Sequence, residues 1–120
     1  MPNGFLIPWY ATGFRGDAFE EALEEIAPVS LRYGGTEYWI YRRGDDRYMF
    51  QTYFLFEDHH DFEQYWYGPE FQDWRARYSS WYQVPVVYVP MTLVATARIG
   101  PETNGSGGGG AEFSPAQGGP

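Results

Sequence analysis

The two histidines of this 120-residue chain are neighbours, His59 and His60, inside the acidic run Glu57-Asp58-His59-His60-Asp61. Imidazoles among carboxylates can build a metal site, or a general base whose ring an acid holds in place. The spacing argues against a metal. Adjacent helical residues point about 100° apart, and helices that bind one ion through two histidines use i, i+4 spacing. The run reads first as an acidic helix start, capped by Asp58 with Asp61 three residues on. His59 nevertheless stays a candidate polar group for a pocket. Arg75 is a second candidate. On a helix running from Phe71 it lies about 40° from that residue, at the rim of an apolar stripe. A guanidinium there could anchor an anionic or phenolate ligand. The commoner arrangement is a snorkelling side chain with a solvated head, and that is the expectation for Arg75. Tyr38, Tyr53 and Tyr78 could hydrogen-bond a ligand, although buried tyrosines more often cap a core with a satisfied hydroxyl. Arg42, Arg43, Asp45, Asp46 and Arg47 read as a solvated turn. Ser79-Ser80 have no histidine near them in sequence, and no glycine-rich phosphate loop is present. The predicted ligand-binding set is therefore Trp66, Arg75, Tyr78, Tyr38 and His59, with no catalytic residue assigned and no metal or cofactor expected.

Aromatic residues make up 21% of the chain. Each ring buries roughly 150–250 Å², more in total than one small core can absorb, so some rings should line a cavity or a contact with another chain. The segment Asp61–Pro85 alone carries nine. Net charge is −8 and all eight basic residues are arginine. With no basic stripe, that field disfavours nucleic acid as a partner. The chain has no cysteine, which excludes disulfides and thiolate metal sites. No apolar run is long enough to span a membrane, and no basic segment precedes an apolar one as in a secretory leader. A cytoplasmic protein is expected.

The elements that must position these residues follow from periodicity. Phe5 to Thr12 reads as a first strand, in which Pro8 calls for a bulge or an edge position. In "GDAFEEALEEIAPVSLRYGG", Phe19, Ala22, Leu23 and Ile26 share one helical face. Asp17 and Glu20 have the spacing of a capping box. Pro28 should kink that helix or begin a short second piece, and Gly34-Gly35 should stop it. Thr36–Arg42 and Arg47–Glu57 form a hairpin. Tyr48, Phe50, Thr52, Phe54 and Phe56 lie on one face of its second strand, and Met49, Tyr53 and Leu55 on the other. Neither face is polar, so both should be covered. A helix from Asp58 breaks at Gly68-Pro69 and resumes. In its second half Phe71, Trp74, Tyr78 and Tyr82 fall within an arc of about 80°, extended slightly by Trp81. Val84–Ile99 reads as the last strand. The Gly/Ser/Pro-rich run from Gly100 to Pro120 reads as a flexible tail after a folded domain of residues 1–99.

The order β-α-β-β-α-β is the ferredoxin-like, split βαβ pattern of an α+β fold. It is a four-stranded antiparallel sheet with two helices on one face. Nothing in the chain covers the other face, and a second copy is the simplest cover.

Two-faced apolar strands, a split second helix and the phrase "FEQYWYGPEFQDW" resemble the dimeric α+β barrel superfamily. Its members include antibiotic-biosynthesis-monooxygenase-like, haem-degrading, EthD-like and NIPSNAP-like proteins. The resemblance covers Phe5 to about Ile99. It implies a homodimer through the open sheet faces and a ligand held between sheet and helices. Haem-degrading members carry a helical tryptophan, which Trp66 matches, and an iron-ligating histidine some turns later. The corresponding region here is Trp74-Arg75-Ala76-Arg77, and a protonated guanidinium cannot ligate iron. Monooxygenase-like members often perform oxygen chemistry on electron-rich aromatic compounds without a prosthetic group. Two functions are thus carried forward. One is a cofactor-independent, monooxygenase-like enzyme acting on an apolar or aromatic metabolite. The other is a non-catalytic ligand-binding or assembly module.

Overall fold

The computed structural model describes residues 3–99. The predicted tail from Gly100 lies outside them. Four strands, β1 (Gly4–Tyr10), β2 (Gly35–Arg42), β3 (Met49–Phe56) and β4 (Val89–Met91), form one antiparallel sheet in the order β2-β3-β1-β4. Helices α1 (Gly16–Ile26), α2 (His59–Trp66) and α3 (Pro69–Arg77) supply the second layer, with a 3₁₀ helix over Ala27–Tyr33. The predicted ferredoxin-like α+β architecture is the one observed, with its second helix split at Gly68-Pro69.

The core is built from alternation. Phe5, Ile7 and Trp9 of β1 and Phe50, Thr52, Phe54 and Phe56 of β3 are buried towards the helices. They meet Phe19, Ala22, Leu23 and Ile26 of α1, whose spacing puts them on one face. Trp74 is 1% exposed, and its indole N–H donates to the Ala22 carbonyl at 2.8 Å, which pins α3 to α1. Leu6, Pro8, Gln51, Tyr53 and Leu55 occupy the opposite face and stay partly open.

Pro8 sits in a central strand rather than at a bulge. Gln83 N–H donates to Tyr10 O, so the even-numbered residues of β1 turn their polar groups towards β4. That strand pairs only with Gly4–Leu6. Pro8 therefore faces a stretch with no neighbour to bond, and its missing N–H costs nothing there.

Local expectations differ in four places. Neither helix start has a side-chain cap. At α1 the reason is Arg42, whose guanidinium takes Asp17 and Glu20 at 2.9 Å each. Arg42 is not part of a solvated turn: its side chain is only 12% exposed and its head lies 4.9 Å from the Phe50 ring centre. The last strand is three residues long instead of sixteen. Pro85 and Pro90 remove donors, and residues 92–98 run exposed past the sheet. Finally, α3 ends at Arg77, so Tyr82 does not reach the aromatic stripe by helical spacing. It arrives by a turn and a bridge to Ala11, and its ring lies 4° from parallel to Trp74 at 6.2 Å.

Two expectations about turns hold. Pro28 opens the 3₁₀ helix, and Gly34 ends it at φ 100°, where a side chain would be strained. A Cβ on Gly34 would also lie 2.6 Å from Asp61 Oδ2.

Trp74→Ala should cost about 3–5 kcal/mol, the usual loss for a buried aromatic, with the orphaned Ala22 carbonyl adding to it. Equilibrium urea unfolding measures this. A loss under about 1 kcal/mol would mean that α3 is not held by this residue.

Candidate functional site

Helix α2 lays one face against β1. His59, Phe62 and Trp66 are spaced i, i+3, i+7, so they line one side of the helix over about 10 Å. Phe62 stacks on Phe5 at 4.0 Å, with 5° between the ring planes. Trp66 continues the wall, 6.1 Å from Phe62 and 23° from parallel. The His59 ring sits 5.5 Å from Phe5 at one end. At the other end the chain breaks at Gly68-Pro69 and α3 returns Arg75 across Trp66.

Arg75 is the clearest departure from expectation. Its head is not solvated. The guanidinium carbon lies 4.2 Å from the Trp66 ring centre and 4.6 Å from that of Phe71. Nη2 donates to the Trp66 carbonyl at 2.8 Å. Nη1 is buried and has no partner. Burial pulls the Arg75 pKa below its ordinary value, partly offset by Tyr82, Tyr65 and Tyr67. An arginine keeps its proton even so. The result is a cation against ring faces with one donor unused.

His59 has the complementary feature. Its Nε2 lies 3.0 Å from Glu63 Oε2, one helical turn on. A carboxylate only accepts, so Nε2 carries the proton and donates it. In the neutral ring Nδ1 then holds a bare lone pair. That Nδ1 is buried without a partner. Among the described residues, His59 Nδ1 and Arg75 Nη1 are the two buried side-chain nitrogen or oxygen atoms that make no hydrogen bond. A base steered by an acid thus stands at one end of an aromatic wall, and an unsatisfied cation at the other.

The other predicted residues go elsewhere. Tyr78 caps α3 and donates to Glu25 at 2.9 Å, at the seam between α1 and α3. That hydrogen bond holds the Tyr78 pKa above its ordinary value. Tyr38 lies opposite Phe54 on β2, at the sheet edge far from β4. The structure therefore groups His59, Trp66 and Arg75, and leaves Tyr38 and Tyr78 outside. The sequence reading overlooked Glu63, although its i+4 spacing from His59 was available, and Phe5, Phe62 and Tyr88. Tyr88 meets Trp66 at 5.2 Å from an irregular segment, where no periodicity could signal it. Among the described residues no three histidine, aspartate or glutamate side chains gather as metal ligands would.

Two grooves open on the outer face of the sheet. One, of about 900 Å³, lies between the Met91–Arg98 segment and Trp39, Tyr53 and Leu55. The other, of about 640 Å³, is lined by Trp39, Tyr41, Arg43 and Tyr53.

No protein-family model matches the chain. No curated protein matches it by sequence. Solved structures do match. SnoaB from Streptomyces nogalater, described as a cofactor-independent oxygenase, is 16% identical with a TM-score of 0.66, over 76% of this chain and 91% of that one. PA3566 from Pseudomonas aeruginosa is 16% identical with a TM-score of 0.68, over 78% and 94%. A candidate antibiotic biosynthesis monooxygenase from Nitrosomonas europaea is 20% identical with a TM-score of 0.68, over 76% and 97%. The chain shares their ferredoxin-like α+β fold. At these identities the likeness is one of architecture. Among the described residues no helix is long and apolar enough to cross a membrane.

Proposed function

We propose that the protein is a homodimeric enzyme that oxygenates an electron-rich aromatic compound without a resident cofactor. The observation that carries this reading is the pair of buried, unpartnered nitrogens, His59 Nδ1 and Arg75 Nη1, at the two ends of the Phe62–Trp66 wall. A ring C–H made acidic by a carbonyl on the far side of a fused ring system gives its proton to Nδ1. Glu63 steadies the imidazolium that forms. The enolate oxygen takes the unused donor of Arg75, whose attraction for an oxyanion is strengthened by exclusion of water. The carbanion supplies the electrons, which is why no cofactor is required. It adds O₂ to give a peroxide anion, which recovers the proton from His59. Loss of water then leaves a new carbonyl, so that CH₂ and O₂ become C=O and H₂O. The description of SnoaB as a cofactor-independent oxygenase supports the reading, because that protein has this fold. Tyr38 and Tyr78 serve the fold in this account.

The dimer is supported by the partly open outer face of the sheet. Trp39 is 40% exposed and Tyr41 58%. With Leu6, Pro8, Tyr53 and Leu55 they make a largely apolar surface interrupted by Gln51, of the kind that a second copy covers through a two-fold contact.

Oxygen uptake with a panel of bicyclic aryl ketones and hydroxynaphthalenes tests the activity. One O₂ should be consumed per product carbonyl formed. His59→Ala should lower kcat by about 10²–10⁴, and Arg75→Gln by about 10²–10³. Compounds that bind without oxygen uptake would establish a non-catalytic binding module instead. Light scattering should return twice the 13.9 kDa chain mass. Leu55→Asp should give the single-chain mass, because it buries an unpaired charge at the contact. A wild type at the single-chain mass contradicts the dimer.

A further inference from the structure

Tyr88 packs against the aromatic wall of Phe5, Phe62 and Trp66. Phe5, Phe62 and Trp66 form a nearly parallel set, with 5° between the first two planes and 23° between the last two. Tyr88 meets all three edge-on, at 69°, 65° and 67°, with centroid distances of 6.2, 4.8 and 5.2 Å. Its ring is therefore set across the wall that runs from His59 to Arg75. A flat ligand lying against Phe62 and Trp66 would compete with Tyr88 for those two rings.

The backbone that carries Tyr88 is built differently from that of the other rings. Residues 83–88 form neither helix nor strand. They are secured at one end by Gln83 N–H to Tyr10 O at 2.9 Å. At the other end Val89 pairs with Leu6. Between these ties Val84 and Val87 are 76% and 51% exposed. Tyr82, just before this segment, is the contrast: it is 7% exposed, stacked on Trp74, and donates to the Arg75 carbonyl at 2.7 Å. Tyr82 anchors, and Tyr88 hangs on a strap.

We propose that Tyr88 is a displaceable plug that sets which ligands the site admits. Building on the assignment of the His59–Arg75 wall as the binding site, the ligand class is a fused, flat aromatic anion. It replaces the edge contacts of one tyrosine with face contacts to Phe62 and Trp66, and brings an oxygen to Arg75. A single small ring gains too little to displace Tyr88. Two fused rings cover the wall.

The probe is 2-naphthoate, titrated calorimetrically into the full chain. Tyr88→Leu removes the ring and keeps an apolar contact. It should tighten binding by about ten-fold or more, as expected when a competing closed state is removed. Tyr88→Trp enlarges the plug without opening a cavity and should weaken binding by a similar factor. Tyr88→Phe should bind like the wild type, because the hydroxyl takes no part. Arg75→Gln should abolish binding in the wild-type and Tyr88→Leu backgrounds alike. Equal affinities for wild type, Tyr88→Leu and Tyr88→Trp, all lost with Arg75→Gln, would overturn the plug and leave the site standing. No binding by wild type or Tyr88→Leu, or binding indifferent to Arg75, would overturn the site and the plug together.

Discussion

The face-to-face stack of Phe5 and Phe62, 4.0 Å apart and both fully buried, is the contact on which the rest of the molecule is arranged. It fixes α2 over β1 in one rotation. Once Phe62 points at Phe5, the helical period dictates that His59 and Trp66 point the same way, one turn before and one turn after. The sheet beneath cannot slip to compensate. A one-residue shift of β1 would turn Phe5, Ile7 and Trp9 outward and bring Leu6 and Pro8 in. Strand register, helix rotation and the direction of His59 are thus one constraint.

The break at Gly68-Pro69 supplies what a continuous helix could not. Pro69 starts α3 without needing a donor, and Gly68 leaves no room for a side chain, since a Cβ there would sit 2.6 Å from Gln64 O. The reversal brings Arg75 back over the carbonyl end of α2, where it bonds Trp66 O. A guanidinium in that position meets the unpaired carbonyls and the negative end of the helix. Two ring faces cover it, and one of its donors is left over. A purely structural arginine would be expected to spend every buried donor, because an orphaned one costs about 1–3 kcal/mol. In the proposed function that unspent donor is the one a ligand takes.

The fold was legible because its signals are long-range and repetitive. The buried face of α1 was placed residue by residue, whereas the alternation of β3 sorted its side chains into two faces without saying which one meets the helices. The failures were local competitions. Asp17 and Glu20 fit a capping pattern, but a buried Arg42 from the hairpin is a stronger partner for carboxylates than backbone N–H groups already near water. Val84–Ile99 has the composition of a strand, but a strand needs a neighbour, and β1 offers one only at Gly4–Leu6. At the proposed site, the candidates His59, Trp66 and Arg75 were chosen by residue type, and the structure brings those three onto one side of α2 and α3. The burial of the Arg75 head could not, because snorkelling and stacking leave the same sequence trace. Tyr88 left no trace at all, since its position depends on where an irregular segment crosses the sheet.

The central claim is that the Arg75 charge is kept for a ligand rather than for stability. The most direct measurement is the unfolding free energy of Arg75→Met in urea, at neutral pH and without ligand. Methionine keeps the contact with Trp66 and Phe71 and removes the half-satisfied cation. The account predicts stability within about 1 kcal/mol of the wild type, or somewhat above it, because replacing a costly buried charge by an apolar group of similar size is often neutral or favourable. A loss of about 3–5 kcal/mol, the scale of a broken buried ion pair, would show that the guanidinium holds α2 to α3 and would contradict the account.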